Sequence, residues 1–234
     1  MNMTHNKQRV LLELLHISDP TLPIGGYSHS NGLETYIQQK VVKDVDTTRE
    51  FVENMLIYNY KYNDGLFVRD AFKYGTDQNL EALLELDNES HALKTPMEVR
   101  DGSSKLGMRL LKIYVRLHDY ELMHSFFEKV KNKETPGHYA IVFGMITALL
   151  GAEIKSVLSA FYYNAAVNMV TNSVKMVPLG QMDGQEILYN MHDLIAKLVD
   201  DTLTLDEEMR GLCNPAFDIR CMQHETLYSR LYMS

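Results

Sequence analysis

Apolar residues recur at helical spacing along nearly the whole chain. Val10, Leu11, Leu14, Leu15 and Ile17 make a first amphipathic stretch, which Ser18-Asp19-Pro20 interrupts. A loop with two prolines and the pair Gly25-Gly26 follows. Asn31, with Glu34 three residues later, predicts a capped second helix through Gln39. Thr47 and Glu50 predict another capping box, opening a long helix to about Tyr74. The clearest start signal is Thr95-Pro96-Met97-Glu98, with Thr95 as cap, Pro96 as first helical residue and Glu98 as reciprocal acceptor. Val99, Leu106, Leu110, Leu111, Ile113 and Leu117 then form one stripe.

Pro136-Gly137 breaks the chain before 139–150, a run apolar on all sides that predicts a central helix wrapped by the others. Gly144 within it suits a close approach of two helices. Residues 153–176 predict a further long helix, stopped by Pro178. Asp183 and Glu186 cap another to about Leu203, and a short last helix covers 217–231. The stretch 73–93 is the least informative. There is no alternating run bounded by hairpin turns, no long linker and no internal repeat. The expected fold class is all-α: one domain over 1–234, a bundle of roughly eight to ten helices around the central helix 139–150. Residues 215–234 form a C-terminal tail to it.

Composition narrows the function. The chain has 234 residues, 45 % hydrophobic and 23 % charged, which suits a globular protein rather than a disordered one. Its net charge of -8 argues against a polyphosphate partner, so no nucleic acid is expected. Cys213 and Cys221 have neither metal-knuckle nor redox-pair spacing and read as ordinary thiols in a reducing compartment. The polar opening, and an apolar stretch broken by Glu13, argue against a secretory signal. The run 139–150 falls short of the roughly 20 residues a bilayer-spanning helix needs. A cytoplasmic location away from membranes is expected.

No residue constellation specifies a reaction. Gly25-Gly26 lacks the Gly-Lys-Ser/Thr that reaches phosphate and magnesium, and reads as a tight turn. Ser28-His29-Ser30 lies outside any Gly-x-Ser-x-Gly elbow. Cys213 or Cys221 with His224 is the one thiol–imidazole pairing, and it defines the enzyme alternative. None of the nine histidines shows the i, i+4 spacing of a helical metal site, so no resident metal or cofactor is expected. A binding protein is favoured. Two segments look purposeful: the loop Leu22-Pro23-Ile24-Gly25-Gly26-Tyr27, and a tail where Ile219, Met222, Leu227, Leu231, Tyr232 and Met233 alternate with Arg220 and Arg230. Such a tail either docks on its own core or folds onto a partner, and both stay open.

These segments resemble the UreF family of urease accessory proteins. The run from Leu22 to Glu34 is similar to that family's Leu-Pro-x-Gly-Gly-[Phe/Tyr]-Ser-x-Ser-x-Gly-Leu-Glu signature. His138-Tyr139 followed by Val142-Phe143-Gly144 resembles its central helix opening. The run from Lys175 to Gln185 resembles its Lys-x-Val-Pro-Leu-[Gly/Ser]-Gln-x-Asp-Gly-Gln segment. Asp218-Ile219-Arg220, and the run from His224 to Ser234, are similar to its tail.

The resemblance implies an all-α homodimer without chemistry of its own. It would join the UreG GTPase, UreD (also called UreH) and apo-urease, regulating GTP hydrolysis for nickel insertion, with nickel at most in transient passage. Partner-contact positions carried over by these motifs are Pro23, Gly25, Gly26, Tyr27, Ser28, Gly32 and Glu34 in the loop. Lys175, Pro178, Gln181, Asp183 and Gln185 would face the GTPase or the dimer partner. Arg220, His224, Glu225, Tyr228, Arg230 and Tyr232 would order against UreD. The alternatives are the Cys/His enzyme and a plain dimeric interaction module unrelated to nickel.

Overall fold

The run apolar on all sides becomes α8 (Tyr139–Leu149), and its residues from Ala140 to Thr147 are all buried. A helix with no polar face has to be enclosed, and the rest of the chain encloses it. The computed structural model describes residues 3–26, 29–30 and 32–232, with side chains from residue 6 onward. Tyr27, Ser28, Asn31 and Met233 therefore lie outside the described residues.

The described elements are all helical and no strand occurs among them. α1 (Met3–Ile17) and α2 (Leu33–Gln38) precede one long helical run. That run comprises α3 (Val45–Met55), a π-helical segment (Leu56–Gly65) and α4 (Leu66–Thr76). α5 (Leu80–Leu93), α6 (Met97–Leu117) and α7 (Glu121–Lys131) lead to α8. Beyond it come α9 (Ile154–Met176), α10 (Gln181–Asn190), α11 (His192–Thr204), a 3-10 turn (Glu207–Met209) and α12 (Pro215–His224). Among the described residues no helix is long and apolar enough to cross a membrane.

α4 lies along α8, and Gly144 makes that approach possible. A Cβ there would stand 2.5 Å from the Val68 carbonyl oxygen and 2.9 Å from the Ala71 Cβ. α6 packs on α8 as well, α9 lies against the π-helical segment, and α10 and α11 cover α9. One hydrophobic core connects them, from Leu14 and Ile17 in α1 to Phe217 and Cys221 in α12.

Several predicted boundaries move. The long helix starts at the Asp44–Thr47 capping box, because the Asp44 carboxylate accepts the Thr47 amide at 3.0 Å. α6 begins one residue later than expected, with Pro96 itself at the cap position. The stretch expected as one helix to Leu203 breaks at the buried Met191 into α10 and α11. Asp183 does act at its start, accepting the Gly180 amide at 2.8 Å. The 73–93 stretch holds α5, capped by Asn79. The last helix ends at His224 rather than 231, because the chain beyond it turns to meet α2 and α6.

Candidate functional site

The C-terminal segment is built onto the protein's own core. Asn214 caps α12 by accepting the Phe217 amide, and Pro215 opens the first turn, where its missing N–H is harmless. Phe217, Cys221 and His224 then recur on one helical face and are buried. Ile219 and Met222 point the other way and are exposed. At the facing end of α2, Gly32 adopts φ +79, and a Cβ there would stand 2.8 Å from the Cys221 sulfur. The close approach and the left-handed backbone both call for glycine. The Thr35 hydroxyl donates to the Arg220 carbonyl at 3.0 Å, and the Arg220 guanidinium lies over the Tyr36 ring.

Beneath this contact sits a buried polar cluster. His224 is wholly enclosed, with Nδ1 2.7 Å from Glu98 Oε2 and Nε2 3.2 Å from Glu34 Oε2. Arg230 Nη1 donates to Glu98 Oε1 at 2.6 Å. Glu34 also takes two consecutive backbone amides of the tail, Leu231 N at 2.7 Å on Oε1 and Tyr232 N at 3.2 Å on Oε2. Gln38 Nε2 donates to the Ser229 carbonyl, pinning the strap between these points. Tyr232 is buried, its phenol pushed up by burial and by Glu34, and its hydroxyl has no hydrogen-bond partner. Tyr228 and Leu231 stay exposed, beside Ile219 and Met222 on α12. Glu34, His224 and Tyr232 are thus interior, whereas Arg220, Glu225, Tyr228 and Arg230 reach the surface to differing degrees.

The Gly25-Gly26 loop is a turn held from both sides. Gly25 has φ +84, Arg109 donates to the Ile24 carbonyl at 2.8 Å, and Asn172 donates to the His29 carbonyl at 2.9 Å. His29 is buried and its basicity lowered, first by burial and then by Lys105 and Arg109. A cleft under the loop is lined by Gly26, His29, Asn59, Asp64, Lys94 and others, and Lys94 donates to Asp64 at 2.8 Å within it. In the 175–185 segment, Val177 and Leu179 anchor the chain inward while Lys175, Pro178, Gln181 and Gln185 face solvent. Met182 and Tyr189 are exposed close by on α10.

The thiol–imidazole pairing does not form. Both His224 nitrogens face carboxylates, and burial pushes the Cys221 thiol well above its usual range. Cys213 is exposed, with its sulfur 3.9 Å from Asp218 Oδ2. Among the described residues, no three His, Cys, Asp or Glu side chains are placed to hold a metal ion.

Sequence reasoning missed a second buried polar knot. His91 Nδ1 and His138 Nε2 are 3.1 Å apart. Asp87 accepts from the Thr135 hydroxyl and from the amides of Gly137 and His138, while burial pushes its carboxyl up against those bonds. The only hint in the sequence was an acidic residue on the apolar side of α5.

An all-helical chain whose most elaborate polar construction arranges its own tail, with apolar side chains left facing solvent, has the make-up of a binding protein. Residues 42–192 match the UreF family. The chain is 47 % identical over 221 residues to the urease accessory protein UreF of Haemophilus influenzae (strain ATCC 51907 / DSM 11121 / KW20 / Rd), covering 94 % of both chains. To that of Actinobacillus pleuropneumoniae it is 48 % identical over 221 residues, 94 % of this chain and 97 % of the relative. To that of Sporosarcina pasteurii it is 33 % identical over 202 residues, 86 % of this chain and the whole of the relative. The chain belongs to the UreF family of urease accessory proteins.

Proposed function

We propose that the protein is a non-catalytic scaffold for urease maturation in the cytoplasm, bridging the UreG GTPase to UreD (UreH) and apo-urease. As a homodimer it would hold two GTPase subunits and regulate GTP hydrolysis while nickel is inserted. The tail is the UreD contact in this reading, with the Tyr27 loop beside it. The exposed Lys175, Pro178, Gln181 and Gln185 serve the GTPase or the dimer partner. Nickel passes, if at all, through hydrated polar space, since a divalent ion is very costly to strip and bury.

The observation that carries this reading is the outward row of Ile219, Met222, Tyr228 and Leu231 on a segment fastened from beneath. Large apolar and aromatic side chains on a rigid support are the usual anchors of a protein interface. The test is co-expression with UreD and UreG of the same organism, followed by size-exclusion chromatography. A full-length chain that joins neither protein overturns the proposal. A chain ending at Leu227 keeps Phe217, Cys221 and His224 in the core, so it should stay folded and lose UreD. A chain ending at Asn214 should be destabilised as well, because those three side chains leave with it.

A further inference from the structure

Glu34 is built unlike a contact residue. It lies in α2, is buried, and spends both carboxylate oxygens on the C-terminal segment. Its acceptors go to the Leu231 amide, the Tyr232 amide and the His224 imidazole, three points on a stretch with no regular structure after α12. Past Leu227, whose amide donates to the His224 carbonyl, the strap's hydrogen bonds run to α2 and α6 through Gln38, Glu98 and Glu34. A segment without its own backbone ladder keeps one shape only while such outside contacts hold it.

The direction of the effect follows from what is hidden and what is shown. An inhibitory strap would cover the side chains a partner needs. Here Tyr228 and Leu231 are exposed in the fastened state, and Tyr232 is the aromatic side chain that turns inward.

We propose that Glu34 is a positioning residue: it fixes the tail before binding, so that the partner meets a preformed surface and does not have to order a loose chain. This rests on the tail being the UreD contact. Ordering a rotamer-rich segment on binding weakens affinity, and removing that need strengthens it.

The experiment compares the full chain with Glu34→Gln, which is nearly isosteric but offers one acceptor where the carboxylate offers two. The readouts are hydrogen exchange at the amides of Leu231 and Tyr232, thermal unfolding, and the Kd for UreD. Expected are exchange at these two amides at least about tenfold faster and UreD binding about tenfold weaker, with the chain still folded. A rescue arm separates shape from stability. In a Cys213→Ala background, Gln38→Cys and Ser229→Cys are joined by a short bismaleimide, mimicking the Gln38–Ser229 contact. Stapling Glu34→Gln should restore parental UreD binding.

Equal or tighter UreD binding by Glu34→Gln with a loosened tail overturns the proposal. So does a staple that abolishes binding in the parental chain, since the tail would then have to leave. A Glu34→Gln chain that unfolds throughout leaves the parental staple as the deciding arm. If the parental chain itself fails to bind UreD, the functional reading falls instead, and the exchange data alone still decide whether Glu34 holds the tail.

Discussion

The imidazole of His224 and the carboxylate of Glu98 meet at 2.7 Å across 126 residues of sequence. Glu34 closes on the other ring nitrogen, so two largely buried carboxylates depend on one imidazole and on Arg230. Replacing His224 with phenylalanine keeps the volume and removes both contacts. The expected loss is about 2–4 kcal/mol, most of it from carboxylates left in the interior without a partner. Urea unfolding measures it. A loss below about 1 kcal/mol would mean that water enters and takes over these contacts.

Gly144 and Gly26 separate backbone approach from open turn. An alanine at Gly144 places a methyl carbon 2.5 Å from the Val68 carbonyl oxygen, between two helices that are both buried there. Helix backbones do not yield locally, so Gly144→Ala should destabilise by about 3 kcal/mol and lower the melting temperature. Nothing lies within 4 Å of a Cβ at Gly26. Gly26→Ala should stay within about 0.5 kcal/mol of the parent. Any loss of UreD binding in that variant would then report a contact and not a folding defect.

The helices and their centre were legible because burial leaves a periodic trace, and 139–150 has no polar face at all. The breaks were less legible. Nothing in the local sequence at Met191 demands that α10 end there; the packing of two separate helices on α9 does. The cap at Asp44 was overlooked because Thr47, its reciprocal partner, looks like a cap itself. In the tail, spacing could name the apolar residues but could not say that His224 reaches Glu34 and Glu98. A contact across that much sequence leaves no periodic mark. The same holds for His91 and His138, brought together from the end of α5 and the start of α8.

The two thiols should differ sharply in reactivity. Cys213 is exposed, whereas Cys221 is buried and its thiol is held well above the usual range by burial, with Asp218 and Glu98 adding to it. A disulfide reagent should therefore label one cysteine in the native protein and both in denaturant. Replacing both with alanine should leave urease activation intact and reduce stability by roughly 1 kcal/mol through the space vacated at Cys221. Loss of activation in a folded double variant would count against the scaffold.

His138 sets an acid limit on the fold. It is fully buried at the start of α8, and its pKa is lowered to about 2, first by burial and then by Lys94, His91 and Arg100. In the unfolded chain a histidine titrates near its ordinary value, about 6.5. Below that pH the unfolded chain takes up a proton that the folded chain refuses. The stability contributed by the neutral imidazole is thus present above pH 6.5 and is lost as pH falls through the window toward 2. Between pH 6.5 and 5.5 this one group should remove about 1 kcal/mol, and about 1.4 kcal/mol for each further unit. Other carboxylates and histidines titrate over part of the same range, so the measurement is a difference. Urea unfolding of the parent and of His138→Gln at pH 7.5, 6.5 and 5.5 should give a shallower fall for the variant by that amount. Parallel curves would mean that His138 accepts a proton without unfolding, as it would if His91 swung away and admitted water to the ring.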